Sequence, residues 1–402
     1  MTGINNLPNE ILEIIFKSLP LKKVKDIVNY QLVCKRWVNL ARYVFKNTFA
    51  LKQALQKRNL YWEKWQSKNT VSPPARHLHM TTFHKNTMFV FGGSALTLLN
   101  DLWAFDMSTR QWRQCFSPES HPSPRPKAWA TIVCHEDCLI VFGGSFQGIL
   151  FKDLHVYNLE RNHWMHHEIS SPWPPAMADH TATIHGRKMI IFGGNTQKDT
   201  SKFRHSFLQP SNDVWTLNLD TFTWQLQETS VNKPSPCIWH YQFHIDDENL
   251  LIVGMGAQDM WLLTMTPPVW TWREIRVEAE NKFHFRPECK YPACKFGEKL
   301  IFVGEHPDRN VDQGIMENYM SAIFICDLSH VFDAVDPYAK WLEPRKECVF
   351  PGAPFYSENS SLVVCKNTGQ MLFFGGFGAQ KPNTDEYLAN NNLYFIRPFQ
   401  NL

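Results

Sequence analysis

The side chains best equipped for catalysis or metal binding, 17 histidines and ten cysteines, run through this 402-residue chain without the spacing either task needs. Zinc takes four converging ligands, usually delivered as closely spaced pairs. The chain has no CxxC, and the nearest approaches, Cys134 with Cys138 and Cys289 with Cys294, lack a second pair. There is no HExxH either, and His163, His166 and His167 flank Trp164 with no carboxylate arranged around them. The expectation is no metal and no cofactor, with the cysteines read as reduced, packed thiols. The residue type in excess is tryptophan, 15 copies within a 14% aromatic content. Something in the fold uses it repeatedly.

Charge separates two parts. Residues 1–60 carry 11 Lys/Arg against three Asp/Glu, a balance of +8, which leaves −5 for the rest of a chain whose total is +3. A basic module on a mildly acidic body suits an acidic partner, and a solvated basic helical face explains the charge as well. No recognition motif accompanies the charge, so no nucleic acid is expected. Glu10 and Glu13 interrupt the first apolar stretch, which argues against a signal peptide. No later run approaches the ~20 apolar residues of a membrane span, so the expectation is a soluble intracellular protein, cytoplasmic or nuclear, with no membrane partner.

Those two parts also differ in period. Leu7, Ile11, Ile14, Ile15 and Leu19 recur at helical spacing, with Pro8 suited to a first turn and Pro20 closing the segment. A second helix is expected over about 21–28 and a third over about 31–44, whose apolar side holds Leu32, Val33, Trp37, Leu40, Ala41 and Val44. So little helix buries a small core and leaves apolar surface for a partner. Leu7-Pro8-Asn9-Glu10-Ile11, Ile15-Phe16, Leu19 and Val33-Cys34-Lys35-Arg36-Trp37 together resemble the F-box motif. In that family the helices dock on the acidic adaptor Skp1, which links to a cullin. The resemblance implies adaptor contacts at Leu7, Pro8, Ile11, Ile15, Val33, Cys34 and Trp37, some of them shared with the small domain's own core. It also implies an F-box over 1–47 and a helical linker over 48–59.

From about residue 60 short β stretches repeat. Phe91-Gly92-Gly93 returns as Phe142-Gly143-Gly144, Phe192-Gly193-Gly194 and Phe374-Gly375-Gly376, while Val253-Gly254-Met255 and Val303-Gly304-Glu305 keep one glycine. An apolar run precedes each glycine, as in Met88–Phe91, which suits a strand buried on both faces. A third strand follows, such as Asp101-Leu102-Trp103-Ala104-Phe105, and then an outer-strand tryptophan: Trp112, Trp164, Trp224, Trp272 and Trp341. The ~50-residue period with its glycine pair and tryptophan resembles kelch repeats, which form β-propellers. The fold class expected is a small α-helical F-box followed by an all-β six-bladed kelch propeller over 60–402. The last repeat ends without its outer tryptophan, whereas Leu60-Tyr61-Trp62-Glu63-Lys64-Trp65 has outer-strand character and no blade. That segment is predicted to pair beside Leu393–Ile396, with Trp62 first and Trp65 second for the missing place, and to join the F-box rigidly to the ring.

Loops after the glycine pairs are long in blades 3, 5 and 6, at 195–212, 305–321 and 377–391, and long loops on a rigid scaffold carry function. In related propellers this face holds peptide ligands. By position the target-binding candidates are Ser94 and Ser145, then Asn195, Arg204 and His205, then Gln258, His306, Arg309 and Phe377. The loops between blades add His77, Trp129, Trp239, Tyr291 and Tyr356, since exposed aromatics anchor interfaces. Each could equally be a solvated loop residue, and Trp129 and Trp239 could be blade packing. Asn212-Asp213-Val214-Trp215, Trp270-Thr271-Trp272 and Pro292-Ala293-Cys294 further resemble the animal "just one F-box and kelch domain-containing protein" family. The resemblance implies a non-catalytic substrate receptor of a Skp1–cullin–F-box ubiquitin ligase. Two other classes compete. A copper oxidase would need matched His and Tyr placements, which no repeat shows, and a kelch scaffold acting without ubiquitin would leave the F-box unexplained.

Overall fold

The computed structural model describes residues 50–66, 71–116, 123–168, 172–197, 208–254, 259–280, 290–306, 320–342, 353–354, 358–365, 369–380 and 387–398. The expected adaptor contacts Leu7, Pro8, Ile11, Ile15, Val33, Cys34 and Trp37 lie outside these.

Repetition of one strand pattern produces six four-stranded antiparallel blades. Blade 1 runs from Met80–His84 through Thr87–Ser94 and Leu98–Asp106 to Gln111–Phe116, and each later blade repeats that inner-to-outer order. The inner strand of every blade touches those of its two neighbours, blade 6 against blade 1 included, so the six surround a channel. Second strands are the most apolar and the most buried: Met88, Phe89, Val90 and Phe91 are at most 3% exposed, with neighbouring blades on both faces. Blades 4 and 5 are further tied where Arg276–Ala279 pairs in parallel with Tyr338–Trp341.

The ring closes as the sequence predicts. Leu60–Lys64 is an antiparallel strand against Leu393–Pro398, and it completes blade 6 as its outer strand. The register confirms the equivalence. Trp112 lies opposite Phe105, Trp164 opposite Tyr157, Trp224 opposite Leu217 and Trp272 opposite Leu263. Trp62 lies opposite Ile396, the matching place on blade 6, and is 6% exposed. Four of these indoles pack on the phenylalanine before the preceding blade's glycine pair: Trp112 on Phe374, Trp164 on Phe91, Trp224 on Phe142 and Trp272 on Phe192, at 4.8–5.3 Å between ring centres. Blade 5 has Val303 there instead, and Trp62 packs in one cluster with it while meeting Phe373 and Tyr394 edge-on. Trp65 reaches forward to Phe105 of blade 1.

Ala50–Lys57, here α1, sits on this closure. Leu51, Ala54 and Leu55 are buried at 1–6% against Phe296, Ile325 and Met371 of blades 5 and 6. Its first turn lies over the tight turns at Gly297 and Gly369, which join the inner strand to the second strand, so α1 occupies the face opposite the glycine pairs. Asn59 N donates to Ala54 O, ending the helix, and the strand begins at Leu60. No helix among the described residues is long and apolar enough to cross a membrane.

Candidate target-binding face

The glycine pairs make the opposite face possible. Gly143 has φ +67° and Gly193 +65°, the region glycine enters freely. A β-carbon on Gly143 would meet Cε1 of His180 at 2.9 Å, and one on Gly193 would meet Cε1 of His240 at 2.6 Å, each imidazole coming from the next blade. The second glycines lie against their own blade's entry loop, as Gly194 does against Ala178 O and His180. One glycine therefore admits the neighbour's imidazole and the other admits backbone.

His79, His180 and His240 hold adjacent blades together. Each Nε2 hydrogen-bonds a hydroxyl on the preceding blade's inner strand: Ser361 at 2.9 Å, Thr131 at 2.9 Å and Thr181 at 2.8 Å. Burial pushes all three imidazoles down to about 3, so they are neutral. The residue before this place is held in the left-handed region in five blades: Leu78, Trp129, Asp179, Trp239 and Asn359, at φ +55° to +59°. That conformation is strained for a residue with a β-carbon, and backbone bonds between blades hold it. Leu78 N donates to Asn359 O, Asn359 N to Lys290 O, and Asp179 N to Trp129 O.

Two buried ion pairs stiffen blades 1 and 2. Arg76, fully buried, donates to both oxygens of Asp101 at 2.7 Å and to Gly92 O and Pro74 O. Lys127, also fully buried, pairs with Asp153 at 2.7 Å. In blades 3 and 4 Met177 and Cys237 stand in the cation's place. A buried cation left without its acid is expensive, which ties Arg76 and Lys127 to their partners.

Hairpins after the glycine pairs rise from this face. Their apolar side chains face water: Leu96 is 104% exposed, Ile149 60%, Leu208 47% and Leu388 47%, one from each of blades 1, 2, 3 and 6. Nothing in propeller packing needs these positions to be apolar.

The structure brings several expected residues together. His77 stacks on Phe377 at 4.4 Å and pairs through its backbone with Ser94. Trp239 donates its indole N–H to Asp179 at 3.0 Å, and Asn195 bonds the same carboxylate. Trp129 is half-buried at the left-handed place. Ser145 pairs with Ala128 but is only 5% exposed, which leaves its side chain little surface. Tyr291 corrects the expectation of an exposed anchor. It is 4% exposed in the core shared by blades 4 and 5, and its carbonyl accepts the Tyr241 hydroxyl at 2.5 Å. Val303 N donates to Pro292 O, which sets Pro292 level with Met80 and puts Tyr291 in the buried place of His79. His306 ends the second strand of blade 5. Arg204, His205, Gln258, Arg309 and Tyr356 lie outside the described residues.

Sequence reasoning missed Asp179, Lys290 and the four exposed apolar hairpin residues. Burial pushes the Asp179 carboxyl up, opposed by Lys290 and by its two hydrogen bonds. Among the described residues no group of three His, Cys, Asp or Glu is placed to hold a metal ion.

Comparison with known proteins agrees with this layout. An F-box-like family model matches residues 4–48, and a model of the FBX42 β-propeller domain matches residues 76–272. Kelch domain-containing protein 1 of Homo sapiens is 26% identical over 55% of this chain and 59% of its own. Acyl-CoA-binding domain-containing protein 5 of Arabidopsis thaliana is 29% identical over 44% of this chain and 26% of its own. The chain thus spans less than two thirds of each of these relatives. Among solved structures, that titled "Structure of YjhT" superposes with a TM-score of 0.54 at 16% identity, covering 81% of this chain and 100% of that one, a likeness of fold alone.

Proposed function

From an F-box-like segment followed by a six-bladed kelch propeller, we propose that this chain is the target-recognition subunit of a Skp1–cullin–F-box ubiquitin ligase. The F-box binds the adaptor through Leu7, Pro8, Ile11, Ile15, Val33, Cys34 and Trp37, and the glycine face of the propeller holds the target. Ubiquitin chemistry then belongs to other subunits, and this chain is non-catalytic. The observation that carries the reading is the crown of exposed Leu96, Ile149, Leu208 and Leu388 on the face opposite α1. Four consecutive blades, 6, 1, 2 and 3, each present an exposed apolar side chain on this face, which suits a protein-binding surface. The exposed Phe332 and Val335 of the α1 side belong instead to a single turn of blade 5. The basic balance of residues 1–60 suits an acidic adaptor. The match to the FBX42 propeller model and the motifs around Asp213 and Trp272 support the finer assignment to the "just one F-box and kelch domain-containing protein" family. The reading places the chain inside the cell, in cytoplasm or nucleus.

A pull-down of wild type beside a Leu7→Ala/Pro8→Ala variant tests it. Skp1 and a cullin are expected with wild type and not with the variant, while target proteins stay with both. Absence of the adaptor from wild type would favour a kelch scaffold that acts without the ligase.

A further inference from the structure

The glycine-face end of the channel contains a cavity of ≈ 270 Å³ with wall residues from all six blades. Its polar wall is made of hydroxyls, Thr81, Thr131, Thr181, Ser360 and Ser361 among them, together with the neutral imidazoles already described. Lys290 is the only charged side chain among the described residues on that wall. The other two cations set into this face are matched within their own blades, Arg76 by Asp101 and Lys127 by Asp153. Lys290 is half-buried, and among the described residues no carboxylate forms an ion pair with it. On blade 5 Lys290 holds the place that Leu78 has on blade 1, one residue before the buried inner-strand position. Asp179 feels the Lys290 charge through space, but its carboxylate already accepts from Trp239 and Asn195 and does not line the cavity.

A cation partly withdrawn from water, set among hydroxyls and without an ion-pair partner among the described residues, is a recognition element for an anion. We propose that the channel mouth takes the carboxylate of an Asp or Glu side chain presented by an extended segment of the target, with Lys290 as counter-ion. This rests on the receptor reading and adds the chemistry of what is recognised. The cavity opens below into a further ≈ 640 Å³ of the channel, with Thr81, Ile132, Ala182 and Val363 on both walls, so a side chain entering from the rim has room beside Lys290. The rest of the segment lies across the rim, where the His77–Phe377 stack, Trp129, Trp239 and the exposed apolar hairpin residues supply contact area. Lys290 neutralises the charge, and the wall hydroxyls, of which Thr181 already donates to Gln242, keep the surroundings of the carboxylate polar.

The test is an array of C-terminally amidated nonapeptides, random except for a central Glu, Gln, phosphoserine or Lys, with a parallel set ending in a free carboxylate. Full-length wild type, Lys290→Met and Lys290→Glu are each applied to it, with thermal melting confirming that all three are folded. Wild type is expected to retain Glu-centred over Gln-centred peptides by about fivefold or more. Lys290→Met removes that preference, and Lys290→Glu transfers it to Lys-centred peptides. Equal retention of Glu and Gln by wild type overturns the proposal, as does an unchanged pattern in Lys290→Glu. A stronger preference for phosphoserine, or for free chain ends whatever the central residue, also overturns it by assigning the mouth to another anion. The array involves no adaptor, so its failure beside intact capture of adaptor and target removes this inference and leaves the receptor reading standing.

Discussion

At the scale of single residues, the most consequential group is the set of channel histidines. His79, His180 and His240 are neutral because burial holds them near 3, against an ordinary value of 6.5. The unfolded chain binds protons at these sites below pH ~6.5 while the folded one does not, so stability falls as pH drops from ~6.5 toward 3. Each group loses about 1.4 kcal/mol per pH unit over that window. Melting temperature is therefore expected to fall steeply between pH 7 and 5, and a His79→Gln/His180→Gln/His240→Gln variant, less stable at pH 7, should show a flatter slope. An equal slope in wild type and variant would sever the link between these imidazoles and acid sensitivity. The glycine pairs beside them were legible in the sequence because few other residues accept both φ > 0 and an imidazole 2.6 Å from the β-carbon. Asp179 and Lys290 were not legible. Whether a residue between blades faces the rim or the core depends on a one-place register that Val303 N and Pro292 O set in space, and that register sends Tyr291 inward.

At the scale of elements, the closing strand shows what pattern can and cannot reveal. A blade lacking its tryptophan and a lone Trp-bearing segment predict each other, and the register of Trp62 against Ile396 matches that of the other blades. The two tryptophans of the segment do different work. Trp62 is buried between blades 5 and 6, whereas Trp65 is half-buried against the core between blades 6 and 1, edge-on to Phe105. Trp62→Ala should destabilise the propeller by about 3–5 kcal/mol, the range for a buried aromatic, and Trp65→Ala by less. Urea unfolding followed by tryptophan fluorescence compares them, and a larger effect from Trp65 would mean that closure depends on the blade 1 contact. The seat of α1 on blades 5 and 6 could only be seen in three dimensions, since Leu51, Ala54 and Leu55 show an apolar stripe but not what it covers. The exposed apolar hairpin residues were hidden for a similar reason. An isoleucine after Gln147-Gly148 looks like buried strand, and strand it is, but its 60% exposure shows only in three dimensions.

At the scale of the whole molecule, α1 and the exposed apolar residues of the glycine face lie on opposite sides of the ring. α1 rests over the turns at Gly297 and Gly369, and the crown rises beyond the glycine pairs. Under the proposed receptor role, damage to the glycine face should leave capture of the adaptor working. The most direct test is quantitative pull-down with a Leu96→Asp/Ile149→Asp/Leu208→Asp/Leu388→Asp variant, whose four changes lie at exposed positions and should leave folding intact. The adaptor and cullin are expected at wild-type levels while the propeller's targets are lost. Targets retained at wild-type levels by the folded variant would contradict the assignment of the glycine face as the surface that holds them.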